Sequence, residues 1–309
     1  MPDDLEEKLI EDLKSGKDVS LERALLIVSG CKTEEEIAVY VEKLDQIQDD
    51  IHRFLRHVNH PERDEDDFKA KFIFDYLWEK KTKRFNDNLF LTDVIDAQVS
   101  ENKNEKIGNC VGLTSLYTVL GLREGFDLSI LVNRDHILNR LRTEKGVYDI
   151  ENTNIVGFGL KKKGSREEPI ENIVSHVLFS RGCRKFDSKY YVEALDDYTK
   201  AIELNPGHAQ AYINRGNIKA ELEDHKGAVD DYDKAIELDP NYFKPYHQRG
   251  VSRFYIKDFK GAKQDFRKSI RLNPICWQSY VALVNVNFYL GVVKAVDGLV
   301  KLRGDIKDK

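Results

Sequence analysis

The 309-residue chain is 41% hydrophobic and 33% charged, which supplies material for sizeable cores and excludes a disordered chain. At roughly 150 residues per domain the length predicts two domains and excludes a single small module. The net charge of −5 hides a gradient: residues 1–170 hold 26 Lys+Arg against 35 Asp+Glu, and residues 241–309 hold 14 against 5. An acidic partner would suit that basic end, but no base-stacking motif accompanies it, so nucleic acid is not the expected ligand. Residues Met1–Ile10 are acidic where a secretory signal would be basic and then apolar. Val281–Val293 is too short to cross a bilayer and is interrupted by Asn285 and Asn287, so no membrane span is expected. Cys31, Cys110, Cys183 and Cys276 are scattered, without zinc or disulfide-framework spacing. A reducing interior such as cytoplasm fits that usage.

Residues 1 to about 81 read as helical, with Leu5, Leu9 and Leu13, then Ile37, Val41, Leu44, Ile47, Ile51 and Leu55 recurring at three- and four-residue steps. Thr33 followed by Glu36 predicts a capping box, and Asn59–Asp66 marks a break. A polar stretch, Ser100–Gly108, leads into Asn109-Cys110. From there Leu113, Leu116 and Leu120 keep helical period, and Gly125 ends the run. Cys110 thus falls in the first turn, where unpaired N–H groups and the helix dipole favour a thiolate. Leu128, Ile130 and Val132 alternate as a strand, and His136–Leu141 and Gly146–Glu151 read as two more, joined by a turn over Thr143–Gly146.

The order is therefore a helix-borne cysteine, a strand-borne histidine and an acid on the following strand. A thiol enzyme needs this layout: the imidazole takes the thiol proton and the carboxylate fixes the tautomer. Asp149 and Glu151 are two apart, on one face of a regular strand, and spacing does not choose between them. Gly-Asn-Cys-Val-Gly-Leu-Thr-Ser-Leu-Tyr, Asp-His-Ile-Leu-Asn-Arg-Leu and Tyr-Asp-Ile-Glu-Asn-Thr resemble the transglutaminase-like superfamily, closest to its bacterial SirB-like group. The resemblance covers about Leu89–Gly159. It implies a papain-like α+β fold with Cys110 as nucleophile, His136 as general base, and Glu151 in the acid's place with Asp149 as fallback. The Cys110 backbone N–H would form part of an oxyanion hole, with Asn104 and Asn109 as candidates for its second donor. The remaining histidines, His52, His57, His60, His176, His208 and His225, show no ligand spacing.

In the second half, Arg181-Gly182, Arg215-Gly216 and Arg249-Gly250 recur every 34 residues. Asn205-Pro206, Asp239-Pro240 and Asn273-Pro274 close successive units. Ala194, Ala228 and Ala262 share one position, and Tyr198, Tyr232 and Phe266 another. This pattern resembles the tetratricopeptide repeat, a helix hairpin per unit, with Pro ending the second helix. Three repeats span about Ile173–Pro274, the aromatics expected to plug gaps between neighbouring hairpins. A degenerate fourth unit from Trp277, with Val284 in the glycine position, is expected to cap the stack. The resemblance implies a concave groove for a protein or peptide ligand, and repeat register places Phe179, Gln210, Asn217, Lys244, His247 and Phe254 on it. A solvated helix face, or packing between hairpins for the two Phe, is the competing reading of these positions. Relatives that clamp a C-terminal carboxylate use paired Lys, Arg and Asn. Here only Asn217 and Lys244 match, with Phe179 and Cys183 at two clamp positions, so that ligand is not expected.

The expected architecture is an α+β transglutaminase-like domain over residues 1–165, followed by an all-α solenoid over 171–309. The expected function is partner binding through the groove, coupled to hydrolysis or acyl transfer on a polypeptide amide at Cys110. The alternative is a non-catalytic scaffold. Neither requires a metal or an organic cofactor.

Overall fold

The computed structural model describes residues 5–62, 65–80, 90–100, 109–134, 136–153, 157–160 and 165–307. It divides into two compact units, one of residues 1–184 with 203–205, the other of residues 185–202 with 206–309.

The first unit opens with the expected helices: α1 Leu5–Lys14, α2 Leu21–Val28, α3 Glu34–Arg56 and α4 Asp66–Lys80. Thr33 caps α3 by accepting from the Glu36 amide at 3.2 Å, but the Glu36 carboxylate reaches past Thr33 to the Lys32 amide at 2.6 Å. The capping box is thus shifted by one residue. A helix that periodicity does not announce, α5 Leu91–Val99, follows, with Leu91, Val94 and Ile95 fully buried.

Helix α6, Cys110–Arg123, is the centre of this unit. Eleven consecutive residues, Val111–Gly121, are buried, which explains why its sequence is apolar all round rather than amphipathic. Tyr117 donates to the Ala70 carbonyl of α4 at 2.9 Å. At the far end Arg123 forks onto Glu22 of α2, both nitrogens at 2.8 Å, and reaches Asp45 of α3. Gly125, at φ +81°, then turns the chain back, a left-handed conformation glycine adopts without steric cost.

The chain next forms strands β1 Asp127–Val132, β2 Ile137–Thr143, β3 Gly146–Ile150, β4 Phe158–Leu160 and β5 Arg166–Glu168. They make one antiparallel sheet in the order β4-β3-β2-β1-β5. The first three strands follow the alternation in the sequence. The three-residue edge strands β4 and β5 are too short to leave a periodic signal. A short 3-10 turn, Ile170–Asn172, leads into α7 Ile173–Asp187.

The second unit holds most of α8 Tyr191–Leu204 and then two hairpins, α9 Ala209–Glu221 with α10 His225–Leu238, and α11 Phe243–Tyr255 with α12 Phe259–Leu272. Asp224 and Asp258 cap α10 and α12, each accepting at 2.9 Å from the glycine amide three residues on. A Cβ at Gly216 would lie 2.8 Å from a Tyr232 ring carbon, and one at Gly250 2.8 Å from a Phe266 ring carbon. Each aromatic therefore closes its own hairpin over its own glycine, and Phe266 also packs against Val286 of the following helix, the kind of gap-filling contact expected between neighbours.

Each hairpin is also held by ions. Asp231, buried on α10, takes Arg215 at 2.6 and 3.0 Å and Lys219 at 2.8 Å. One repeat later Asp265 takes Arg249 at 2.6 and 2.9 Å and Arg253 at 2.8 Å. A buried carboxylate is stable only when so paired.

The expected fourth hairpin is instead one continuous helix, α13 Trp277–Lys307. No proline interrupts this span, so nothing forces the turn that closes earlier repeats. Its inner side covers the last hairpin: Val286 is fully buried with Ala262 and Phe266, and Ala282, Leu283 and Leu290 pack against them. Its outer side leaves Trp277 and Phe288 about two-thirds exposed, at 66% and 68%.

Candidate functional site

Cys110 is the first residue of α6, and Asn109 is its N-cap, accepting from the Gly112 amide at 2.8 Å through Oδ1. That oxygen is spent on the cap. Asn104, the other candidate oxyanion donor, lies outside the described residues.

His136 sits just before β2, where the Asn133 amide donates to its carbonyl at 3.0 Å. Its Nε2 meets the Glu151 carboxylate. The Cys110 sulfur is the other group that acts on the ring. The structure thus brings Cys110, His136 and Glu151 together around one imidazole.

The choice between the two acids follows from strand geometry. Strand β3 ends at Ile150, with a register shift against β4 at Asp149/Ile150. The alternation that puts residues i and i+2 on one face therefore stops short of Glu151. Asp149, directly opposite Arg140, is held by that guanidinium at 2.7 and 3.1 Å. Glu151 instead turns to His136, and its second oxygen accepts from the Thr153 hydroxyl at 2.6 Å and amide at 3.2 Å.

The electrostatics match this pairing. Hydrogen bonding to Cys110, and then to Glu151, outweighs burial and holds His136 up at about 9. Burial pushes the Glu151 carboxyl up, yet hydrogen bonds from His136 and Thr153 prevail and bring it to about 2. The imidazole is therefore protonated at pH 7, facing a sulfur at a helix N-terminus. By contrast, burial and then nearby Glu36 push the Cys31 thiol up to about 11. No disulfide joins the four cysteines, and no cluster with metal-holding geometry occurs among the described residues.

The six groove positions separate. Phe179 is half-buried on α7, within the first unit. Gln210 is half-buried on α9. Asn217 accepts through Oδ1 from Tyr232 at 2.9 Å and from Gln248 at 3.2 Å, so both bonds orient its amide nitrogen away from them. Lys244 is exposed, with Nζ 5.8 Å from the Tyr242 ring centre. His247 bonds Ser279 at 2.8 Å through Nδ1 and leans on Phe266. Phe254 is edge-on to Phe259 and Tyr289 at 5.4 and 5.0 Å. Packing thus occupies His247 and Phe254.

Periodicity alone does not register the buried Asp231 and Asp265. The signal was present: an acid recurs sixteen residues after each of Arg215 and Arg249.

Residues 209–242 and 243–276 each match the tetratricopeptide repeat family, so the chain carries two such repeats. No curated protein matches the chain. Among solved structures, the tetratricopeptide domain of Arabidopsis OM64 is 31% identical, covering 37% of this chain and 95% of its own, with a TM-score of 0.37. That of Aspergillus fumigatus Sgt2 is 27% identical, covering 39% and 82%, at 0.38. The second such domain of human RPAP3, solved with an HSP70 peptide, is 27% identical, covering 37% and 98%, at 0.35.

Proposed function

We propose that this is a protein-interaction protein whose repeat unit binds a polypeptide segment in its groove. The observation that carries this reading is the pair of consecutive repeats over 209–276, since stacked helix hairpins present an extended concave surface. Asn217 and Lys244 are the groove groups available to a peptide backbone or side chain. An array of tiled peptides probed with the full chain tests it: Asn217→Ala combined with Lys244→Glu abolishes the signal, while Lys234→Glu, an exposed change on α10, leaves it intact. Peptide binding indifferent to both groove changes, or none at all, refutes it.

A second reading is favoured by one observation, the imidazole shared by Cys110 and Glu151. In it the first unit is a transglutaminase-like domain of papain-like fold that acts on a polypeptide amide. The Cys110 sulfur attacks the carbonyl carbon, the C–N bond breaks, and His136 gives its proton to the departing amine. Water or a second amine then attacks the thioester, returning its proton to His136, and Cys110 leaves. Glu151 holds the ring in place throughout. Alkylation of Cys110 by iodoacetamide, located by mass spectrometry, tests the poise of the site: labelling is rapid well below pH 8.5, the ordinary range of a thiol, and His136→Ala abolishes it. Slow labelling indifferent to His136 refutes a poised thiol and leaves the first unit a silent docking module.

A further inference from the structure

Thiol chemistry requires three side chains from three different elements to meet within hydrogen-bond reach. Cys110 starts α6, His136 precedes β2, and Glu151 follows β3. Something must fix these elements against each other, and apolar packing alone tolerates sliding. The described residues contain one buried polar chain that spans all three. Asn139, in β2 three residues after His136, is fully buried. Its Nδ2 donates at 2.7 Å to the Thr118 hydroxyl, and Thr118, also fully buried, lies on α6 just over two turns beyond Cys110. Its Oδ1 accepts at 2.8 Å from Asn152, the buried neighbour of Glu151. A parallel tie runs from the Thr114 hydroxyl, one turn beyond Cys110, to the Ile137 carbonyl next to His136 at 3.3 Å.

Resting on the thiol reading above, we infer that Asn139 is the positioning residue of the site, the joint through which α6, β2 and the turn after β3 hold Cys110, His136 and Glu151 in register. An amide is costly in such a place unless all its bonds are made. A leucine of similar size would fill the volume without that cost, but would specify no register. The amide's two ends have distinct partners, a donor to the helix and an acceptor to the turn, so its orientation is single. Asn139 touches neither the sulfur nor a substrate; it acts through the three residues it aligns.

The test is the pH profile of Cys110 alkylation by iodoacetamide in the full chain, from pH 5 to 10, for wild type, Asn139→Leu, Thr118→Val and Thr118→Ser. A displaced imidazole slows labelling at pH 6.5 by on the order of tenfold to a hundredfold in Asn139→Leu. Above the ordinary thiol range the rates converge, because the sulfur ionises without help. Thr118→Val moves the profile the same way by less, and Thr118→Ser, which keeps the hydroxyl, restores the wild-type curve. Should Asn139→Leu fail to fold by circular dichroism, the Thr118 pair decides alone. A His136-dependent wild-type profile retained by Asn139→Leu and Thr118→Val overturns this inference only. A wild-type profile that His136→Ala leaves unchanged overturns the thiol reading and this inference with it.

Discussion

Replacing Glu151 by Gln removes the carboxylate from His136 while keeping its shape. In the folded chain the imidazole rises from 6.5 to about 9, and at about 1.4 kcal/mol per pH unit this favours the protonated ring by about 3 kcal/mol. Cys110 is the larger contributor and Glu151 the second, so the carboxylate supplies part of that preference. The lowering of Glu151 to about 2 is the same ion pair seen from its other end and is counted once. The ring is about one-quarter exposed, at 26%, against 4% for the carboxylate, so solvent screens the pair only partly. Titration of the His136 ring by proton NMR gives a wild-type midpoint near 9 and a lower midpoint in Glu151→Gln. Cys110→Ala, removing the larger contributor, lowers it further. Stability follows: a group raised on folding stabilises fully below 6.5 and loses that contribution as pH climbs toward 9. Glu151, lowered on folding, contributes above 4.5 and loses it as pH falls toward 2. Thermal melts from pH 6 to 9.5 therefore decline more steeply in wild type than in Glu151→Gln. A wild-type midpoint near 6.5, or one that Glu151→Gln does not move, refutes the reasoning.

Gly250→Ala places a methyl 2.8 Å from the buried Phe266 ring and destabilises the repeat unit by about 1–3 kcal/mol, read as a lower Tm. Gly291→Ala, with nothing within 4 Å, gains about 0.5–1 kcal/mol from helix propensity. Asp265→Ala strips the carboxylate from Arg249 and Arg253 at once and costs about 3 kcal/mol in denaturant unfolding. Glu237→Gln, in the exposed pair with Lys234, changes stability by under about 1 kcal/mol in the same assay.

The repeats were legible because a 34-residue period repeats caps, glycines and aromatics at fixed places. Where each ring sits was not, since a period cannot tell a contact within a hairpin from one between hairpins. The meeting of His136 with an acid at the end of the next strand was legible too. The division of labour between Asp149 and Glu151 was not, because it depends on where β3 stops, and strand ends carry no periodic signal. Helix α5 and strands β4 and β5 were hidden by shortness. The long α13 was masked by the strength of the preceding pattern: the 34-residue period invited a further hairpin where the chain has no break.

The carboxylates inside the hairpins change what a charged ligand senses at a distance. Residues 241–309 carry a formal excess of nine positive charges with Asp265 already counted; Arg249 and Arg253 share that buried carboxylate and Arg249 also meets Asp233 at 2.5 Å, so these four charges cancel. Their field is largely spent at home. The far field of this end then rests on exposed lysines such as Lys244, so association rates with an acidic segment should respond to lysine acetylation and ionic strength, while the arginines act as mortar.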